Sequence, residues 1–81
     1  MASTPVLGRL AKALLYLQEL YHPDDYLLIK REDLANFVNT ATETVIRLLS
    51  TLKQNKLVNI QGRKIQITDK AGLLKTYAIY Q

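Results

Sequence analysis

One segment near the middle of the chain carries side chains whose types and spacing suit base recognition. If this segment is helical, the face opposite its apolar residues presents Thr42, Glu43, Ile46, Arg47 and Ser50. A carboxylate accepts a hydrogen bond from the cytosine amino group, and a guanidinium donates two to guanine. An aliphatic side chain packs against the methyl group of thymine. These residues therefore predict base contacts in a DNA major groove, made by Thr42, Glu43, Ile46 and Arg47.

Glu43 and Arg47 also allow a simpler interpretation. They lie four residues apart with the acid first, which is the spacing of an ion pair that stabilises a helix by about 0.2–0.5 kcal/mol. The two roles are compatible, because Glu43 can orient Arg47 towards a base. Ile46 favours the DNA interpretation, since an exposed isoleucine costs solubility without adding to the core.

A second set of residues has the chemistry of phosphate binding. Hydroxyl and cationic side chains, together with amides at helix N-termini, are the usual partners of the DNA backbone. The candidates are Arg31, Thr40, Thr44, Ser50, Arg63 and Lys64. The alternative for each is a solvated polar residue, and at Arg63 and Lys64 the two interpretations are nearly balanced.

The charge distribution agrees with a polyanionic partner. The 81 residues carry a net charge of +4. Residues 30–64 hold seven Lys or Arg against three Asp or Glu, so the whole excess lies in this central segment. A basic surface of this kind suits nucleic acid, although many basic domains bind none.

Two helices are predicted to position these side chains. The first spans 31–38 and ends at Asn39, which tolerates the left-handed conformation of a tight turn. The second spans 40–54, where Thr40 and Glu43 fit a capping box in which each side chain bonds the other residue's amide. Two helices joined by so short a turn form a helix-turn-helix. The predicted buried residues are Leu34, Phe37, Val38, Ala41, Val45, Leu48, Leu49 and Leu52.

A leading helix and a short strand precede this motif. Thr4 can cap a helix over 5–21 that has Pro5 at its first position, and its apolar face is broader than one partner requires. The segment 22–25 reads as a turn and 26–29 as a small strand.

A hairpin and a final helix follow the motif. Alternating apolar residues over 57–68 flank Gly62-Arg63, which suits a type II′ turn. Pairing Gln61 with Lys64 then places Val58, Ile60, Ile65 and Ile67 on one face. Asp69 is expected to cap a final helix, so that residues 69–80 form the last element. The residues of this helix that are available for packing are Leu73, Leu74, Tyr77 and Ile79. The prediction is one α+β, mainly helical domain over 1–81: a winged helix-turn-helix of three helices, a wing and a C-terminal helix.

Composition argues against several other functions. The chain has no cysteine, and its only histidine, His22, is expected to be a solvated loop residue, so no metal site or catalytic group is predicted. No apolar run approaches a membrane span and no signal peptide is evident. We expect a cytoplasmic protein that is not an enzyme and that uses no cofactor in this domain.

The sequence resembles the DNA-binding domain of the Crp/Fnr family of bacterial transcription regulators over roughly residues 7–74. The resemblance lies in the segments KREDLA at 30–35, TETVIRLL at 42–49 and GRKI at 62–65. It implies that Glu43 and Arg47 read bases, that Arg31 and Thr44 contact phosphates, and that Arg63 belongs to the wing.

The sequence also departs from the family pattern, which limits the residue roles that the resemblance implies. Thr42 stands where some members have a base-reading arginine, Ile46 where others have Ser or Gly, and Lys30 where a small hydroxyl residue usually caps the helix. The sensor domain of the family has no counterpart here, so we expect a fragment of a regulator whose effector is unknown. The whole regulator is expected to bind palindromic DNA as a homodimer, with RNA polymerase as a further candidate partner. The alternative is a winged-helix module that binds a protein through Ile46 and the first helix.

Overall fold

The chain folds into helices and strands in the order that the sequence predicts. The computed structural model describes residues 5–21 and 26–80. Its elements are α1 (Pro5–Tyr21), β1 (Leu27–Leu28), α2 (Arg31–Val38), α3 (Thr42–Gln54), β2 (Val58–Gln61), β3 (Lys64–Ile67) and α4 (Lys70–Tyr80). The predicted α+β winged helix-turn-helix is confirmed. The predicted Thr4 cap, the turn at 22–25 and His22 lie outside the described residues.

Helix α2 ends in a tight left-handed turn at Asn39. This residue has φ 59° and ψ 56°, as the sequence predicts. The Asn39 amide donates to the Asn36 carbonyl and the Thr40 amide to the Ala35 carbonyl, at 3.2 and 2.9 Å. These two bonds form a Schellman motif, which turns the chain directly into α3.

The predicted capping box at the start of α3 is wrong. The helix begins at Thr42, two residues later than expected, and its N-cap is Ala41, which makes no side-chain cap bond. The physical reason is the Schellman motif, because the Thr40 amide that Glu43 was expected to bind already donates to Ala35. The prediction that Ala41 is buried is also wrong. Ala41 is exposed because it lies before the first helical turn.

Helix α3 also ends in a Schellman motif. Lys56 has φ 63°, its amide donates to the Lys53 carbonyl at 2.9 Å, and the Leu57 amide donates to the Leu52 carbonyl at 3.0 Å. Leu52 and Leu57 are both buried, and they occupy the two positions at which apolar residues commonly accompany this motif. The chain therefore leaves α3 directly into the wing.

The wing is part of a three-stranded antiparallel sheet in the order β1-β3-β2. The predicted register is confirmed, with Gln61 opposite Lys64 and Ile60 opposite Ile65. Gly62 has φ 61° while Arg63 does not have a positive φ, as a type II′ turn requires. The sequence did not predict that β1 pairs with β3, where Leu27 lies opposite Ile65.

The core lies where α1, α2, α3, α4 and the inner face of the sheet meet. Its fully buried large side chains are Leu10, Leu14, Leu34, Val45, Leu49, Leu52, Ile65 and Leu73. Phe37, which was predicted to be buried, is 52% exposed. Its ring stacks on Tyr16 of α1 with centroids 6.2 Å apart, and Ala35 takes the buried position in α2.

Helix α4 completes the domain against α1. Its predicted cap is confirmed, because an Asp69 carboxylate oxygen accepts a hydrogen bond from the Gly72 amide at 2.9 Å. Leu73 is fully buried, whereas Leu74 and Ile79 are exposed although they were expected to be available for packing. Leu74 instead lines an apolar groove between α1 and α4 together with Leu20.

Candidate nucleic-acid interface

The outward face of α3 is the centre of the candidate interface. Val45, Leu49 and Leu52 point into the core and are almost fully buried. This leaves the predicted base-reading residues on the opposite side of the helix, where Glu43 and Arg47 are exposed and Thr42 is half-buried. Ile46 is 51% exposed. All four predicted positions therefore lie outside the core, and their contact with bases stays a prediction.

The ion pair that the spacing of Glu43 and Arg47 allows does not form. Over residues 5–21 and 26–80, the one ion pair within 4.0 Å joins Lys70 to Glu19. The hydrogen bond at Arg47 involves its backbone carbonyl, which accepts from the Thr51 hydroxyl at 3.3 Å. The charged ends of Glu43 and Arg47 are thus available to an external ligand.

The N-terminus of α3 is open to an anion. Ala41 has an extended backbone and no side chain that could cap the first amides of the helix. These amides carry the positive end of the helix dipole, which favours a phosphate oxygen. Thr40 and Thr44, both predicted phosphate ligands, are half-buried near this end.

A shallow groove joins α3 to the wing and to the start of α2. It brings together predicted residues from three separate segments of the sequence. The residues that line it are Lys30, Arg31, Glu32, Thr42, Ile46, Gly62 and Arg63. Four of the predicted site residues, namely Arg31, Thr42, Ile46 and Arg63, therefore share one surface.

Arg31 makes a contact that the sequence did not predict. Its Nη2 atom donates a hydrogen bond of 2.8 Å to the Gly62 carbonyl at the tip of the wing. Lys30, which replaces the usual capping residue, makes no side-chain cap bond, so α2 begins without one. The Arg31 contact spans 31 residues, and no local pattern could have revealed it.

Lys64 and Ser50 lie apart from this groove. The Lys64 ammonium stands 4.8 Å from the centre of the Tyr26 ring, in a cation–π contact. It shares a small polar pocket on the outer face of the sheet with Asn59, Gln61 and Gln66. Ser50 is exposed one turn beyond Ile46 on α3. The structure thus places Arg63 in the groove and Lys64 on another face of the wing.

The described part of the chain offers no metal centre and no membrane span. No group of three or more His, Cys, Asp or Glu side chains is placed to hold a metal ion among these residues. None of the described helices combines the length and apolar character that crossing a bilayer requires.

Comparison with protein families identifies one model that matches most of the chain. The model is described as the Crp-like helix-turn-helix domain, and it matches residues 8–76. Among curated proteins, the transcriptional activator protein FnrA of Stutzerimonas stutzeri is 34% identical over 47 residues, covering 58% of this chain and 19% of its own.

Solved structures share the whole fold. The catabolite activator protein of Thermus thermophilus matches with a TM-score of 0.85 at 25% identity, over 95% of this chain and 36% of its own. FixK2 from Bradyrhizobium japonicum matches with a TM-score of 0.81 at 23% identity, over 93% of this chain and 39% of its own. At that identity FixK2 shows the fold alone. The chain thus spans about a fifth of FnrA and just over a third of each of these two structures.

Proposed function

Because the chain belongs to the family of Crp-like helix-turn-helix domains, we propose that it binds specific sequences of double-stranded DNA with α3 in the major groove. The family match confirms the resemblance found in the sequence. The observation that carries the proposal is the outward face of α3, where Glu43 and Arg47 are exposed and not paired with each other. Ile46 between them provides an exposed apolar contact for a thymine methyl group.

Phosphate contacts orient α3 in the groove. The uncapped N-terminus of α3 binds one backbone phosphate, with Thr40 and Thr44 beside it. Arg63 binds the adjacent backbone from the wing, since it lines the same groove as Ile46. Such contacts fix the position of the helix, and the base contacts supply sequence preference.

Selection of binding sites from random duplexes tests the proposal. We expect an enriched half-site, because one domain presents one reading helix. The affinity of the selected duplex should also fall steeply as salt rises, since each phosphate contact releases counterions. Recovery of no motif, or binding that is insensitive to salt, would contradict it. Absence of salt-dependent duplex binding would favour the alternative, a module that binds a protein through the exposed Ile46 and through α1, where Tyr16 and Leu20 are exposed.

The wider protein is proposed to be a transcription regulator that works in the cytoplasm. In a homodimer of this regulator, the two copies would place their α3 helices in successive major grooves of a palindromic site, about 34–36 Å apart. FnrA is a transcriptional activator, which supports this role. If the regulator is a dimer, joining two copies of the domain should raise the affinity for an inverted repeat far more than the affinity for a single half-site. RNA polymerase is a candidate partner of the whole protein, and the domain itself is proposed to have no enzymatic activity and to need no cofactor.

A further inference from the structure

The turn of the wing is attached to the segment that leads into α2. The Ile29 amide donates to the Arg63 carbonyl at 3.3 Å, and the Arg31 guanidinium donates to the Gly62 carbonyl at 2.8 Å. Both carbonyl groups of the two-residue turn therefore accept a hydrogen bond from one short stretch of chain.

Beyond these two bonds, the described wing residues meet the segment before α2 through the short β1–β3 pairing and the cation–π contact of Lys64 with Tyr26. The pairing of β1 with β3 covers two residues on the β1 side, Leu27 and Leu28, and so short a strand is weak by itself. Within the described parts of the chain, Arg31 is the one residue whose side chain hydrogen-bonds to the Gly62-Arg63 turn. Arg31 is half-buried as a residue, and it lines the same groove as Arg63.

We propose that Arg31 is a positioning residue, which holds the wing turn against the start of α2 and thereby sets where Arg63 meets the DNA backbone. The inference rests on the proposed function for its effect on DNA binding, although the attachment itself exists without DNA. This positioning role differs from a direct phosphate contact by Arg31, because a positioning Arg31 acts partly through Arg63.

Arginine is well suited to this role. Its planar guanidinium has five N–H donors and keeps its charge at any physiological pH. One donor on the Gly62 carbonyl fixes the turn, and the positive charge remains beside the groove. The charge also strengthens the bond, since a charged donor binds a carbonyl more strongly than a neutral one.

Hydrogen exchange in the DNA-free domain tests the attachment. In Arg31→Ala, the Ile29 amide should exchange about fivefold faster, because the turn that holds its acceptor is released. Lys30→Ala is the matched control, since it removes a positive charge from the same groove without touching the turn and should leave Ile29 exchange unchanged. Exchange at Val45, in the core, reports whether each variant is folded. Arg31→Met, which keeps the aliphatic stem, gives a second measurement if the alanine variant does not fold.

A double-mutant cycle with Arg63→Ala tests the consequence for binding. The side-chain change at Arg63 leaves its carbonyl in place, so the Ile29 bond survives. If Arg31 positions Arg63, the loss of affinity in the double variant should be about threefold smaller than the product of the single losses. The Lys30→Ala and Arg63→Ala losses should multiply.

The outcomes separate the two claims. Unchanged Ile29 exchange in both Arg31 variants, or independent losses for Arg31 and Arg63, would overturn the positioning role. If the wild-type domain binds no DNA, the proposed function fails, and the exchange of Ile29 still decides whether Arg31 holds the wing.

Discussion

Replacing Arg47 by alanine separates base reading from stability. The Arg47 side chain is exposed and not ion-paired to Glu43, and the bond to Thr51 uses its backbone carbonyl, which the substitution keeps. Alanine is also a slightly better helix former than arginine. The free energy of unfolding should therefore change by less than about 0.5 kcal/mol.

The loss should appear in DNA binding instead. A bidentate contact between arginine and guanine contributes about 1–3 kcal/mol of discrimination against the wrong base. The affinity of Arg47→Ala for the selected duplex should thus fall about 5- to 150-fold. Its affinity for random duplex should fall much less, because a residue that binds bases contributes little where the bases do not match.

Fluorescence anisotropy with both duplexes at two salt concentrations measures this difference. Lys53→Ala is the matched control, since Lys53 is exposed on the last turn of α3 and far along the helix from Glu43. It should leave sequence preference unchanged. An equal loss of affinity of Arg47→Ala for selected and random DNA would refute base reading by Arg47 and identify it as a phosphate ligand.

Three further predictions concern the start of α4 and the turn of the wing. Asp69→Ala should lower stability by about 1 kcal/mol and the Tm by about 4–8 °C, because the Gly72 amide loses its cap, whereas Asp69→Asn should keep most of it. Gly62→Ala should cost about 1–2 kcal/mol in urea unfolding through its φ of 61° alone, as no atom beyond the two neighbouring residues lies within 4 Å of the added Cβ; Gly62→Asn should cost less. Gly72→Ala would ordinarily stabilise a helix, but its Cβ would lie 2.6 Å from Leu57 Cδ2 and 2.5 Å from Asp69 Oδ2, so we expect a lower Tm, and a rise would show that both neighbours yield freely.

Local patterns in the sequence were sufficient for much of the fold. The alternation around Gly62 predicts the hairpin register, because a shift of one residue would turn every apolar side chain outward. Asn39 and Asp69 were identified from properties of single side chains, namely tolerance of the left-handed conformation and capping by a carboxylate. The apolar face of α3 likewise identified the residues on its outer side.

Such patterns could not predict which of two neighbouring elements uses a group or a buried position that both could use. The Thr40 amide can join either the predicted capping box or the end of α2, and α2 takes it. Phe37 lies outside the core because Ala35 packs there and Tyr16 provides a ring for stacking. The bond from Arg31 to Gly62 depends on the folded positions of two distant segments, so only the structure reveals it.

The most direct test of the central claim is a set of intermolecular NOEs between the domain and the duplex obtained by selection. If α3 reads the major groove, the methyl protons of Ile46 should show NOEs to a thymine methyl group or to other major-groove base protons, and the side chain of Arg47 should do the same. NOEs that connect the duplex with other faces of the domain, while Ile46 and Arg47 show none to base protons, would contradict the account.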